Sequence, residues 1–545
     1  MPSRPATDAS VTLELQRVSL DVLREKYAKG SEQTLDGPAM LEAVRQRVAK
    51  ALAEAEQKPA AYQAAFLQTL RNGFIPGGRI NSAAGTDIAR ATFINCFVQP
   101  IGDSISEEVD GKVGIYTALL QAAETMRRGG GVGYDFSAIR PSGAKVKGTA
   151  SYASGPVSYM HVFNQSCATV ESAGARRGAQ MGVLRVDHPD IMEFVHAKQE
   201  AGALSNFNLS VGVTDLFLEQ LERAEPFQLV HKAEPSDAQV AQGAFQRDDG
   251  LWVYHTIEPR VLWDTIMRNT YNTGEPGVLF LDRINAENNL NYCEEIQAVN
   301  PCGEECLADY SCCCLGSIDL TCFVEEPFTE RAAFARAAFG ETVRTAIRML
   351  DNVLDVTAWP LPQQHREAMN KRRVGLGFTG LGDSLLMLRL RYDSEPARAM
   401  AAEIARVMRD EAYRSSVELA KEKGPFPLFD ADKYLASPFV QRLPRDLKDA
   451  IRVHGIRNSH LLSIAPTGTI SLAFADNCSN GIEPAFSWYY NRKKRQPDGS
   501  YADYQVVDHA YRLYAALGHD PAALPPYFVG ALEISAKDHM RMQAA

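Results

Sequence analysis

The sequence predicts an α/β domain assembled from strand–helix–strand units and preceded by a small, mainly helical region. Three observations predict it. Apolar runs of strand length recur at 91–98, 131–136, 278–281 and 460–464, separated by Gly-rich or polar turns. Amphipathic stretches of helical period lie between them, at 115–127, 331–354 and 395–423. Ahead of them, Leu41, Val44, Val48 and Leu52 recur at helical spacing among charged residues. Strands alternating with helices are the pattern of an α/β fold.

Taken in order, residues 1–85 are the mainly helical N-terminal region and residues 86–545 the α/β domain. The stretch 395–423 carries its own boundaries: Asp393 and Ser394 offer N-caps, Pro396 suits the first turn, and Gly424 stops the helix. The polar, aperiodic segment 232–249 reads as a surface insertion. No internal repeat, low-complexity block or long linker interrupts the chain.

At 545 residues the chain exceeds one ordinary domain, which fits a large catalytic unit with a smaller appendage. The net charge of -10 argues against a nucleic-acid coat or a basic membrane-surface protein. No apolar run of about 18 residues is present to span a bilayer. Residues 1–10 lack the basic-then-apolar pattern of a secretory signal, so a cytoplasmic protein is expected. In a reducing compartment, clustered cysteines are catalytic, metal-binding or simply buried. Seven of the ten cysteines fall between Cys293 and Cys322.

The densest stretch, 300–320, reads NPCGEECLADYSCCCLGSIDL. Pro301 and Gly303 bracket Cys302, which favours a tight loop presenting one thiol. Glu304 offers a base and Asn300 an orienting amide. Zinc binding and ordinary burial are the competing readings. No C-x2-C pair occurs, and three adjacent cysteines, Cys312 to Cys314, do not easily turn to one metal. Three other stretches bear on the choice. Cys96, in Asn95-Cys96-Phe97-Val98, reads alone as a buried thiol. Gly129 to Gly131 and Gly133 permit close approach to a ligand, with Arg140, Lys145 and Lys147 available for phosphates, or else form a plain turn. Residues 465–471, APTGTIS, fit either an anion nest at a helix start or a simple strand-to-helix turn.

Together and in order, NCFV at 95–98, GGGVGYDFSAIRPSGA at 129–144, ASGPVSYMHVFN at 153–164, GARRGAQMGVLRVDHPDI at 174–191, NPCGE at 300–304, LGSIDL at 315–320 and APTGTIS resemble one family. The chain is similar to the catalytic subunit of ribonucleotide reductase, and within it to the adenosylcobalamin-dependent (class II) branch. The resemblance implies a ten-stranded α/β barrel of two five-stranded halves, with a central finger loop. It implies a thiyl radical on Cys302 that removes the 3′ hydrogen of a ribonucleotide. Glu304 would be the base for the 3′ hydroxyl, and Asn300 its hydrogen-bonding neighbour. Cys96 and Cys313 would be the dithiol that reduces the 2′ position as water leaves. Asn95, Gly131, Pro466, Thr467, Gly468, Thr469, Ile470 and Ser471 would contact substrate.

The resemblance further implies that Asp103, Arg140, Lys147, Arg176 and Arg177 contact a dNTP or ATP specificity effector, with the loop 172–181 relaying effector identity in a homodimer. Adenosylcobalamin would be the cofactor, no metal would be bound by protein ligands, and a thioredoxin- or glutaredoxin-like donor would re-reduce the dithiol. Ribonucleoside diphosphates are the expected substrates, and the products would serve DNA synthesis and repair. No match to an ATP-cone start appears at the N-terminus. Barrel elements and a C-terminal cysteine pair are expected beyond Ala545. Cys306, Cys312 and Cys314 have no assigned role and read as packing. A diiron-dependent large subunit, an inactive nucleotide-binding fragment and a zinc-stabilised module are the alternatives.

Overall fold

The N-terminal helices form as their patterning dictates. In Gly37–Ala53 the Asp36 side chain accepts from the Ala39 N–H, Pro38 sits in the first turn, and Met40, Val44, Val48 and Leu52 line one buried face. The computed structural model describes residues 13–545 apart from Ala89, Lys147, 173–175 and 496–499.

The strands that build the site are β1 (Phe74–Pro76), β2 (Cys96–Val98), β3 (Gly131–Asp135), β4 (Gln180–Arg185), β5 (Phe207–Val213), β6 (Gly277–Phe280), β7 (Ala298–Val299), β8 (Cys306–Leu307), β9 (Cys312–Cys313), β10 (Leu315–Asp319) and β11 (Gly375–Thr379). Strands β2 to β6 form a parallel sheet in the order β6-β5-β4-β3-β2, and β9 joins its edge antiparallel to β2. β4 and β5 are almost wholly buried, which suits parallel strands covered on both faces and explains their apolar composition. In a second sheet, β10 lies between β1, antiparallel, and β11, parallel. The chain passes from one sheet to the other at Cys314, between β9 and β10.

Helices Ile115–Arg127 and Pro156–Thr169 cover the first sheet, with Ala122, Met126, Met160 and Phe163 packed against Val132, Tyr134 and Leu184. Helices Arg336–Val356 and Glu395–Lys423 share a core with the second sheet, with Ile347, Leu350, Ile404 and Met408 beside Ile318, Leu376 and Phe378. The N-terminal helices belong to this second core. A third, smaller cluster joins residues of both sheets and contains Cys96, Val98, Met181, Ala298, Val299, Leu307, Leu315 and Ala465. Among the described residues no helix is long and apolar enough to cross a membrane.

Ile115–Arg127 and Glu395–Lys423 form where the pattern predicts them. Ser394 Oγ accepts from the Ala397 N–H at 3.3 Å, and Gly424 follows the second helix at φ 82°. Three of the expected runs differ. Of 91–98 only Cys96–Val98 forms a strand. The helix expected at 331–354 begins only at Arg336, because Ala333–Phe334 pairs instead with Val324–Glu325. The run 460–464 makes a single parallel bridge, Leu376 to Leu462, with backbone hydrogen bonds to β11 on either side, and stops short of a strand. The segment 232–249, read as a surface insertion, carries short elements of its own: Ser236 caps the helix Asp237–Ala241, Phe245–Gln246 pairs with Trp252–Ile257, and Gln239 donates to the Ser142 carbonyl at 3.1 Å.

Candidate active site

β7 and β8 pair antiparallel, Ala298 opposite Leu307 and Val299 opposite Cys306, so residues 300–305 are the tip of a hairpin. Its backbone is tied locally. The Gly303 N–H donates to the Asn300 carbonyl at 3.0 Å, the Asn300 N–H to the Glu305 carbonyl at 3.1 Å, and the Glu305 N–H to Asn300 Oδ1 at 3.0 Å. Asn300 is thereby buried and Cys302 is exposed at the tip.

Both sheets grip this hairpin. The Val299 carbonyl lies so close to Gly133 of β3 that any Cβ there would collide with it. Gly131 sits beside Cys96 in the parallel ladder, and a Cβ on it would lie 2.9 Å from Pro301 Cγ and 3.6 Å from Cys96 Sγ. Asn208 of β5 donates to the Pro301 carbonyl at 2.7 Å. Ser463 donates to the Glu304 carbonyl at 3.1 Å, and Glu305 packs against Gly375 of β11.

Cys313 of β9 is the direct ladder partner of Cys96 in β2. Directly opposed residues of an antiparallel pair have Cα atoms roughly 4.5–5.5 Å apart, inside the roughly 4.4–6.8 Å that a disulfide spans. The description of Cys313 extends to its backbone only. Its neighbours Cys312 and Cys314 are buried in the outer core, where Cys314 Sγ lies 3.6 Å from the Leu350 carbonyl. Burial pushes both thiols far above the usual range. Cys306 is raised to about 11, by burial first and Glu305 second, against the opposing pull of Arg373. Burial also raises the Glu304 carboxyl, against hydrogen bonds from Asn300 and its own backbone N–H. Among the described residues, no hydrogen bond reaches Glu304 Oε2.

The run 460–464 delivers the loop 465–471. Ala465 joins the inner cluster with Cys96. Thr467, at φ 52°, precedes the helix Gly468–Phe474; its Oγ1 lies 2.9 Å from Thr379 Oγ1 and accepts from the Gly481 N–H at 3.1 Å. Ser471 donates to Asn480 Oδ1 at 2.9 Å. Pro466 and Gly468 are exposed, Thr469 is half-buried and Ile470 is buried. Asn95, next to Cys96, accepts at its carbonyl from the Gly131 N–H at 2.7 Å and at Oδ1 from the Arg79 N–H at 3.4 Å. The structure therefore brings Asn95, Gly131, Cys96, Asn300, Cys302, Glu304 and the Cys313 backbone to one place, with the 465–471 loop attached through Ser463.

Of the effector positions, Asp103 and Arg140 meet as an ion pair. The Arg140 backbone N–H and Nε donate to Asp103 at 2.9 to 3.2 Å, and Nη1 donates to the Lys145 carbonyl at 2.7 Å. Arg176 and Arg177 lie in a two-stranded ribbon with Glu171–Ser172; their side chains, and Lys147 entirely, lie outside the described residues. Among the described residues no group of three or more His, Cys, Asp or Glu is arranged to hold a metal ion. Sequence reasoning missed Asn208, Ser463 and Thr379. The first two interrupt apolar runs with a polar side chain, which was the available signal.

A thiol on a hairpin held between two sheets, next to a strand whose cysteine has a cross-strand cysteine partner, defines an α/β protein organised around cysteine. A family model described as ribonucleotide reductase, barrel domain, matches residues 94–545. The chain is 35% identical over 559 residues to the vitamin B12-dependent ribonucleoside-diphosphate reductase of Mycobacterium tuberculosis (strain CDC 1551 / Oshkosh), covering 98% of this chain and 73% of that relative. It is 36% identical over 420 residues to the protein of the same description in Thermoplasma acidophilum, covering 77% of this chain and 49% of the relative. The ribonucleoside-diphosphate reductase large chain of Neurospora crassa is 28% identical over 415 residues, covering 70% of this chain and 44% of its own. The chain belongs to the ribonucleotide reductase family, and its domain is the α/β barrel domain of that family.

Proposed function

We propose that this enzyme, a ribonucleoside-diphosphate reductase, converts ribonucleotides to 2′-deoxyribonucleotides with Cys302 as the radical carrier and adenosylcobalamin as the radical source. The observation that carries the reading is that the hairpin presents an exposed Cys302 while Pro301 beside it packs at Gly131, the ladder neighbour of Cys96, whose other ladder partner is Cys313. Two kinds of cysteine are what this chemistry needs. Carbon–hydrogen abstraction takes a one-electron oxidant, whereas the net reduction takes two electrons, which a dithiol gives as it becomes a disulfide.

The exposed hairpin tip leaves room for a bulky external cofactor: among the described residues, none beyond its two chain neighbours comes within 4 Å of where a side chain on Gly303 would begin. When bound, adenosylcobalamin supplies the one-electron oxidation that no closed-shell side chain provides. Cys302, as a thiyl radical, takes the 3′ hydrogen and later returns it. Glu304 takes the 3′ hydroxyl proton, and Asn300 steadies its carboxylate. Cys96 and Cys313 deliver two electrons as the 2′ hydroxyl leaves as water. Asn95 and Gly131 line the sugar side, and Pro466, Thr467, Gly468, Thr469, Ile470 and Ser471 hold the phosphates.

Around this centre we place the ten-stranded barrel with its finger, divided from the N-terminal region near residue 85. A dNTP or ATP effector would sit at Asp103, Arg140, Lys147, Arg176 and Arg177 of a homodimer. A thioredoxin- or glutaredoxin-like donor would restore the dithiol. The deciding test is an anaerobic assay with a ribonucleoside diphosphate and dithiothreitol, with and without adenosylcobalamin and with no second protein. Deoxynucleotide formation that depends on the cofactor is the expected result. Formation only after a diiron protein is added, or nucleotide binding with no turnover, would overturn the reading.

A further inference from the structure

The Lys371-Arg372-Arg373 run ends the helix Pro362–Lys371 and enters β11, and all three cations are buried. A buried guanidinium persists only when its donors are occupied. Arg373 reaches three separate parts of the chain: Nη2 pairs with Glu294, Nη1 donates to Ser311 Oγ at 2.9 Å, and Nε donates to His460 Nδ1 at 3.3 Å. Glu294 stands where the chain begins to rise into β7. Ser311 follows the hairpin and comes just before β9, which carries Cys313. His460 opens the run that leads to the Thr467 loop.

These contacts interlock. Lys371 pairs with both Glu294 and Glu367, and Ser311 Oγ donates to Glu367 at 2.9 Å. Asn288 Nδ2 donates to Glu294 at 3.0 Å, and Asn288 Oδ1 lies 3.0 Å from His460 Nε2. Because arginine only donates, His460 accepts at Nδ1 and is neutral; burial, then Arg373, holds its pKa at about 3. Burial works to raise Glu294, but Arg373 and Lys371 outweigh it and hold that carboxyl at about 2.

We propose that Arg373 is a positioning residue for the reaction: one guanidinium clamps both feet of the finger hairpin and the approach to the Thr467 loop, and so sets where Cys302 stands relative to the Cys96–Cys313 ladder. A lysine would keep the charge but not the planar fork that meets three partners at once. The inference rests on the function proposed above. Its rival is plain charge compensation, in which Arg373 only neutralises Glu294. Replacing a buried ion pair with neutral groups is then nearly harmless.

The test compares the full-length wild type with Arg373→Lys and with the double variant Arg373→Met/Glu294→Gln, which leaves no uncompensated charge. Three quantities are read: thermal midpoint, KM against kcat for the diphosphate, and the rate of Cys302 alkylation by iodoacetamide, followed by mass spectrometry without nucleotide or cofactor. The double variant should melt close to wild type and keep KM while kcat falls roughly tenfold to a hundredfold, the loss expected for a misplacement of about 1 Å. Its Cys302 alkylation rate should also change, and Arg373→Lys should recover only part of the rate. A double variant with wild-type kcat and wild-type alkylation, or one in which kcat falls only in step with thermal stability, would overturn the proposal. A wild type that makes no deoxynucleotide, while the alkylation rates still differ between variants, would sink the functional reading and leave the clamp standing.

Discussion

Cys302 and Cys314 belong to one cysteine-rich segment and meet opposite surroundings. Cys302 ends a hairpin and faces outward, whereas Cys314 lies against the Leu350 carbonyl in the outer core, its thiol pushed far above the usual range by burial. Cys312 shares the fate of Cys314, because alternate residues of β9 serve opposite faces and Cys312 falls opposite Phe97. Neighbourhood in sequence therefore says little about a thiol's reactivity; ladder register and burial decide it.

The sharpest way to break that comparison is substitution on each side of it. Cys302→Ser should abolish deoxynucleotide formation in the anaerobic assay while leaving the thermal midpoint near wild type. Cys314→Ser should keep turnover within a few-fold and instead cost about 1–3 kcal/mol of stability, because a hydroxyl is buried where a thiol was. Urea unfolding checks the second figure. Loss of turnover in Cys314→Ser at unchanged stability would show that the outer cysteines take part in the chemistry.

The next largest effect concerns the support of the hairpin. Gly133 has no room for a Cβ beside the Val299 carbonyl, whereas among the described residues nothing beyond Gly468's own helix and chain neighbours comes within 4 Å of one there. Gly133→Ala should lower stability by about 1–3 kcal/mol, since backbone rather than a flexible side chain must move, and should lift the finger with a loss of kcat. Gly468→Ala should change stability by no more than about 0.5 kcal/mol. Equal stability of the two variants would mean that the hairpin is not held against β3 as described.

What the sequence disclosed follows the reach of the forces involved. The helix Glu395–Lys423 was legible to the residue, because Ser394, Pro396 and Gly424 act on their own backbone. The run 460–464 was less so: its apolar composition fits a strand, but whether it forms one depends on β11 beside it, which offers a single bridge. The cysteines of the site could be singled out only through the order of seven motifs. Nothing local distinguishes Cys313 from Cys312; the family resemblance chose Cys313, and the ladder sets its backbone opposite Cys96. Lys371-Arg372-Arg373 was the least legible of all. Three adjacent cations suggest a solvated surface, and the carboxylates and the serine that bury them, Glu294, Asp351 and Ser311, come from distant parts of the chain.

The smallest expected effect carries the comparison from thiols to the carboxylate beside them. Burial acts on Glu304 in the same sense as on Cys314, raising its pKa, but Asn300 opposes it by hydrogen bonding to the ionised form. A base must be ionised to act, so activity falls as pH drops through the raised pKa. The acid limb of kcat/KM should therefore lie above the ordinary glutamate value of about 4.3. Asn300→Ala removes the opposing hydrogen bond and should move that limb further up, with the alkaline side unchanged. Glu304→Gln should remove the limb along with most of the activity. An acid limb at or below the ordinary glutamate value, or one that stays in place in Asn300→Ala, would mean that Glu304 is not the group titrating and that the base beside Cys302 must be sought elsewhere.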